Sequence, residues 1–337
     1  MGKKFGKKLK LKKIENSLDF LDKLLNRCVL CPHRCKVDRK NGRIGFCGAG
    51  YMPEVSSAIT HHGEEPPISG SNGSGTIFFS HCNMRCVYCQ NYQISQEFEG
   101  QAVSMERLSE LMLELQNKNC HNINFVSPTI WIPQIIKAAS IAIKKGLKIP
   151  FVYNTGGYDN PAVIKMLDGI IDIYMPDIRY SQDSEAEKYS SVKDYVKFNR
   201  KSIIEMYRQV GDLILDIKMT DRNGTSRNGA AVKGLLIRLL VLPNNIGGIK
   251  ETLRFIKNEL SSNVYLSIMA QYHPEYKANS FPELTRRITS KEYYEVVNYA
   301  EKLGFTNGWI QDYISLSEEE DLFIPDFKKK EVFKYNK

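Results

Sequence analysis

The sequence predicts an α/β fold, a partial (β/α)6 barrel that carries a small cysteine-rich N-terminal extension. Three observations predict it. From residue 76 onward, six apolar runs alternate with amphipathic stretches, and serial β/α units build a parallel sheet. Connections of that type are right-handed, which curls the sheet into a full or partial barrel. Cys82, Cys86 and Cys89 follow the first apolar run at C-x3-C-x2-C spacing, while Cys28, Cys31, Cys35 and Cys47 crowd the segment before it. Active-site groups of such barrels sit at the carboxyl ends of strands, so the C-x3-C-x2-C loop opens on that face.

The N-terminal extension comes first. Of the net charge of +9 on the 337 residues, Lys3, Lys4, Lys7, Lys8, Lys10, Lys12 and Lys13 supply seven, and no acid precedes Glu15. The basicity is thus a property of a tail, residues 1–15, which reads as a solvated disordered end rather than a nucleic-acid surface. In residues 16–25, Leu18, Leu21, Leu24 and Leu25 form a helical stripe. The four cysteines of 28–47 read as a small metal knot, for which zinc and an iron–sulfur cluster both fit, with His33 as an alternative ligand. Residues 54–80 read as strands and turns. Within them His61, His62, Glu64 and Glu65 stand in a Gly- and Pro-rich stretch expected to lie over the main site, metal or acid–base work being the alternative role.

The barrel proper is expected over 76–312, after an extension of 16–75 and before a C-terminal extension of 313–337. Strands are expected at 76–80, 122–126, 150–153, 170–175, 235–242 and 264–269, where short apolar runs are bounded by breakers. Helices are expected at 104–117, 132–145, 160–168, 199–210, 248–260 and 290–303, with Ser104 and Ser290 as start signals. Residues 220–229 read as a loop.

The chain contains no apolar h-region behind its lysines and no run near the roughly 18 apolar residues of a membrane span. A cytoplasmic protein without membrane or nucleic-acid partners is expected. In a reducing compartment the eight cysteines argue for metal binding over disulfides. Cys120 stands alone and reads as a small buried hydrophobe.

The loop Cys82-Asn83-Met84-Arg85-Cys86-Val87-Tyr88-Cys89 carries the chemistry. Soft thiolates suit iron–sulfur clusters or zinc. A structural zinc site wants four ligands, and this loop offers three. Three thiolates hold three corners of a four-iron cluster and leave one iron open to a substrate.

These residues resemble the radical S-adenosylmethionine (SAM) superfamily, and Tyr88 stands where that family has an aromatic beside the adenine. The phrases Cys28-x-x-Cys31-Pro32, Gly63-Glu-Glu-Pro-Pro-Ile-Ser-Gly70, Gly73-Ser-Gly-Thr-Ile-Phe-Phe-Ser80, Asn124-Phe-Val-Ser-Pro-Thr129, Tyr153-Asn-Thr-Gly-Gly-Tyr158, Ile173-Tyr-Met-Pro-Asp177 and Leu240-Val-Leu-Pro-Asn244 are similar, in order, to one subgroup, the poorly characterised homologues of the pyruvate formate-lyase activating enzyme. The resemblance implies a TIM-like partial barrel of the radical SAM type, with a [4Fe–4S] cluster and SAM as cofactors. It implies one-electron cleavage of SAM to methionine and a 5′-deoxyadenosyl radical that abstracts hydrogen from a protein or peptide, glycyl-radical activation included. A flavodoxin- or ferredoxin-type protein is the implied reductant.

The resemblance also implies site residues. After the second strand the family has a Gly-Gly-Glu-like turn for the SAM amino group; here Asn124 to Thr129 lacks the glycines and the acid, so backbone carbonyls or the Ser127 hydroxyl substitute. Asn154 and Thr155 resemble an Asp-Thr pair, Asp177 and Arg179 an Asp and Lys near the ribose and methionyl groups. Arg238 resembles an arginine near the methionine carboxylate, where a guanidinium fork fits, and Gln271 lies where adenine contacts arise. Glycyl-radical activating enzymes with extra clusters carry the added cysteines after the radical motif; here they precede it. Two alternatives stay open: radical modification of a small molecule or RNA, and a non-catalytic protein whose cysteines hold zinc.

Overall fold

The short apolar runs become strands that bury both faces, as strands of a parallel sheet do. The structure, a computed structural model, describes residues 2–216, 229–313, 324–329 and 331–333. Strand β1 (Glu54–His61) runs antiparallel to β2 (Ser74–Phe79). From β2 the sheet continues in parallel through β3 (Ile123–Val126), β4 (Phe151–Thr155), β5 (Ile173–Pro176), β6 (Ala231–Leu240), β7 (Tyr265–Met269) and β8 (Gly308–Ile310). Spatial order follows sequence order, so the sheet stays open, edged by β8 on one side and by the short strand Gln101–Ala102 beside β1 on the other. All six expected strands and all six expected helices are present, and the α/β partial barrel with its cysteine-rich N-terminal region is the fold.

The labelled helices are α1 (Gly2–Lys23), α2 (Met105–Asn117), α3 (Ile132–Lys144), α4 (Pro161–Lys165), α5 (Tyr195–Val210), α6 (Ile249–Glu259) and α7 (Ser290–Lys302). The Ser104 hydroxyl caps α2 by accepting from the Arg107 amide. At α7 the cap is Thr289, one residue before the expected start, in a reciprocal capping box with Glu292.

Alternation sorts the sheet into two faces. Tyr153, Tyr174, Leu235, Ile237, Leu266 and Ile268 belong to the main core with the helices. Their strand neighbours Val152, Ile173, Met175 and Leu236 pack in a separate cluster with Ile68 and line the barrel interior. Asn154 and Arg238 share that inner face, because each lies two residues from a member of the cluster.

Two expectations are corrected. Part of the basic tail is helix: α1 begins at Gly2, buries Ile14 and Leu21, and pairs Lys10 with Asp172. The apolar stripe behind the lysines docks the helix, and the Lys10 ammonium lies over the Phe151 ring, 4.7 Å from its centroid. Second, the Gly- and Pro-rich stretch does not lie over the cysteine loop. Since His61 pairs with Ser74, the connection 62–73 sits at the amino end of the parallel strands. There the one-turn helix Pro66–Ser69 forms the barrel floor, with Ile68 inserted into the interior cluster and its carbonyl bound by Asn122 Nδ2 at 2.8 Å. The 220–229 loop falls, except for its last residue, outside the described residues. Of the 313–337 extension, Phe327 and Val332 pack on the inner-face residues Phe78 and Val126. Among the described residues no helix is long and apolar enough to cross a membrane.

Candidate metal centre and cofactor site

The cysteine loop leaves the carboxyl end of β2 through His81 in the left-handed region (φ 69°). Ser80 accepts the indole N–H of Trp131 at 3.0 Å, which fixes the turn. The loop is then held by backbone bonds from Arg85 N to Ser190 O and from Val87 N to Tyr189 O, both 2.9 Å. Asn83 Nδ2 reaches Tyr158 O at 2.5 Å, and Gln90 Nε2 reaches Gln271 O at 2.9 Å. The thiols accept or share short contacts: Met84 N donates to Cys82 Sγ at 3.4 Å, Ser190 Oγ to Cys86 Sγ at 3.0 Å, and Cys89 Sγ lies 3.2 Å from Ser95 Oγ.

Burial, and then repulsion from neighbouring thiols, pushes Cys82 up to about 12 and Cys89 up to about 11. Three thiols gathered on one buried loop fit a cationic iron–sulfur core, because coordination takes them as thiolates.

Below the loop, polar groups converge on the inner face. Arg238 on β6 donates from Nε to Asp177 at 2.8 Å and from an Nη to Asn154 Oδ1 at 2.8 Å. Its other Nη lies 3.7 Å from Glu64, and Glu64 in turn accepts from Asn124 Nδ2 at 2.8 Å. Arg179 donates to the second Asp177 oxygen at 2.6 Å. Burial opposes the Arg238 charge, yet the carboxylates of Asp177, Glu65 and Glu64 push its pKa up. Burial pushes Glu65 up to about 7, although Arg238 draws it down. Several buried atoms here have no hydrogen-bond partner among the described residues: Arg179 Nε, Asn124 Oδ1, Glu65 Oε2 and Ser267 Oγ.

The structure thus brings Asn154, Asp177, Arg179 and Arg238 together, with Asn124 joined through Glu64. Thr155 points the other way. Adjacent strand residues face opposite sides, and its hydroxyl donates to the buried Asp159 at 2.9 Å. Ser127 sits at the carboxyl end of β3 in the left-handed region (φ 59°), and Gln271 follows β7, its side chain accepting from Gln311 at 2.7 Å. Tyr88 is buried, its hydroxyl 2.6 Å from Tyr180, whose own hydroxyl lies 2.7 Å from Ser190. Tyr88, Tyr180 and Ser190 so form a chain of hydroxyls that ends on Cys86.

Sequence reasoning missed Glu64 and Glu65 as interior residues, and Tyr180 and Ser190 as partners of the loop. The position of 62–73 immediately before β2 was a signal for the first pair. Nothing local marked the second: Tyr180 lies in the loop after β5, and Ser190 ends the short helix Asp183–Ser190 that follows it.

The remaining cysteines lie apart from this loop. All eight are free. Cys120 is a core residue, its Sγ 3.4 Å from the Thr60 hydroxyl. Cys28, Cys31, Cys35 and Cys47 line one cavity. His33 does not face it as a ligand: its ring stacks on Phe46 at 3.8 Å, and Nε2 meets Asn83 O at 2.9 Å.

Residues 76–221 match the family model described as the radical SAM superfamily. The chain belongs to the radical SAM superfamily. Membership implies SAM and a [4Fe–4S] cluster as cofactors. An uncharacterized protein of Methanocaldococcus jannaschii is 30% identical over 300 residues, spanning 86% of this chain and 78% of its own. Among solved structures, the chain is similar to a radical SAM methyltransferase from Sphaerobacter thermophilus (TM-score 0.44, 11% identity, 70% of this chain and 66% of that one). It is also similar to Streptococcus suis SuiB bound to the precursor peptide SuiA (TM-score 0.46, 11% identity, 70% and 48%). The chain spans less than two thirds of the length of either solved structure.

Proposed function

We propose that this radical SAM protein is an activating-enzyme-like oxidoreductase that takes a hydrogen atom from a protein or peptide, a glycyl residue being one target. The observation that carries the reading is the juxtaposition of three buried thiols, at the carboxyl end of the first parallel strand, with the Arg179–Asp177–Arg238–Asn154 network. When bound, the cluster and SAM supply a one-electron cleavage that leaves methionine and a 5′-deoxyadenosyl radical.

The chain's own residues do the rest. Cys82, Cys86 and Cys89 hold three irons. Arg179 has an unpartnered Nε and adds positive charge beside the thiols, so it is the cation free to take the SAM carboxylate. Arg238 has its donors engaged and acts from beneath by fixing Asp177 and Asn154. Asp177 bridges the two arginines and so sets the position of Arg179, with Ser127 and Gln271 at the mouth. The tyrosines around Tyr88 exclude water from the loop. The ordered phrases shared with activating-enzyme homologues support the substrate class, and a flavodoxin- or ferredoxin-type protein is the proposed reductant.

The test is 5′-deoxyadenosine formation from SAM with dithionite after anaerobic reconstitution. Brown protein making 5′-deoxyadenosine, and a Cys86→Ala variant that makes none above background, are the expected results. Colourless protein with stoichiometric zinc, or turnover in Cys86→Ala at the wild-type rate, overturns the reading. Deuterium transfer from a labelled peptide into 5′-deoxyadenosine tests the substrate class.

A further inference from the structure

The four N-terminal cysteines enclose a space of their own. Cys28, Cys31, Cys35 and Cys47 line one cavity whose remaining walls are apolar (Leu30, Val37, Phe46 and Ile130) or cationic (Arg34 and Arg39). Residues 28–47 fold tightly to place them. Cys28 N donates to Val37 O at 2.8 Å, Lys36 N to Cys28 O at 2.9 Å and Arg34 N to Cys31 O at 3.1 Å. Arg34 (φ 45°) and Lys36 (φ 58°) flank Cys35 in the left-handed region, a strained arrangement for side-chain-bearing residues. Such strain persists where something over-determines it, and ligation of the intervening thiol would do so. At Gly45 the backbone approaches Cys35 so closely that a Cβ would lie 2.8 Å from its sulfur, and the next amide, Phe46 N, donates to that sulfur at 3.4 Å. Amides aimed at thiolate sulfurs are a device of iron–sulfur sites.

The spacing of the thiols bears on the metal. A zinc ion at about 2.3 Å from each sulfur draws tetrahedral sulfurs to within about 3.8 Å of one another. Among the described residues no three Cys, His, Asp or Glu side chains gather tightly enough to share one ion. These four thiols stand around a space instead. Arg39 is buried there, held by Gly50 O and Ile130 O, and supplies positive charge to an anionic group. Against the radical loop the knot is joined by few groups. His33 meets Asn83 O, and Arg85 donates to Phe46 O at 2.8 Å with its guanidinium over the Phe46 ring.

We propose that Cys28, Cys31, Cys35 and Cys47 hold a second [4Fe–4S] cluster, fully ligated by protein and separated from the radical loop by the stacked His33 and Phe46 rings. This inference does not rest on the radical chemistry of the other loop. The test uses the full chain with Cys82→Ala, Cys86→Ala and Cys89→Ala combined, reconstituted anaerobically with ferrous iron and sulfide in the presence of equimolar zinc. The expected result is about four irons and four sulfides per chain, a dithionite-bleachable visible band, and loss of both on adding Cys31→Ala. One zinc per chain without iron, or no bound metal, overturns the proposal. Should the triple variant not fold, the wild-type chain decides by Mössbauer counting: about eight irons supports the second cluster, about four overturns it.

Discussion

The mouth and the floor of this barrel both bury acids, and they differ in what balances them. At the floor, Glu64 reaches up the interior to Asn124 and Arg238, which offset part of the cost of burying it. At the mouth, three thiols and one arginine share a buried space, and burial holds the Cys82 and Cys89 thiols near 12 and 11. The floor sets its acids against the chain's own arginine and amide; at the mouth Cys82 and Cys89 stay protonated until a cationic group takes them as thiolates. A buried thiol gives up its proton only to a cationic partner, which marks the mouth as the end of the barrel that takes a metal group.

The largest effect expected from this division is on SAM affinity. Replacing Arg179 by Ala removes the guanidinium beside the thiols and is expected to weaken SAM binding by about 4 kcal/mol, roughly a thousandfold. Glu64→Gln keeps the shape of the floor and is expected to change affinity by less than about threefold. Equilibrium dialysis on reconstituted protein reads both. Equal losses in the two variants would break the distinction between the ends.

The floor carries its own signature in stability. Glu65 faces Glu64, Arg238, Tyr265 and Ser267, and burial raises it from 4.5 to about 7. The folded state therefore binds the proton more tightly than the unfolded chain. Stability is greatest below about pH 4.5 for this group, falls as pH rises towards 7, and is level above that. Glu65→Gln cannot ionise, so it is expected to be more stable than wild type at pH 8, by on the order of 3 kcal/mol, and equal to it at pH 4. Denaturant unfolding at the two pH values measures this. A variant that gains as much at pH 4 as at pH 8 would show that packing, not ionisation, sets the cost.

Legibility in the sequence follows the same division. The strands and the cysteine loop were readable because both are local: short apolar runs bounded by breakers for β2 to β7, and three ligands within eight residues. Arg238 and Asp177 were named through the family resemblance, and the structure brings the two together at 2.8 Å. What escaped was set by long-range pairing. Glu64 reaches Arg238 across the interior because β1 and β2 form a hairpin whose connection falls at the floor, and composition alone made that stretch look like a lid. Thr155 was paired with Asn154 through the resemblance to an Asp-Thr pair, although neighbouring strand residues face opposite ways. The helical start of α1 was hidden by lysines that read as solvated, while Ile14 and Leu21 behind them dock the helix.

The smallest effect separates the thiols of the mouth from one another. Cys86 receives a hydroxyl donor from Ser190, itself in line with Tyr180 and Tyr88, whereas the Cys89 contact with Ser95 lies outside that line. A hydrogen bond to a thiolate stabilises the more negative, reduced cluster, and such bonds help set cluster potentials. With a net worth of about 1 kcal/mol, the bond corresponds to roughly 40 mV for one electron. Ser190→Ala is expected to lower the potential of the radical-site cluster by about that amount while leaving iron content unchanged, as read by an EPR-monitored redox titration. Since the N-terminal cysteines lie behind His33 and Phe46, any signal they contribute should not move. A shift in both signals would mean that Ser190 acts by holding the loop in place rather than through its bond to Cys86.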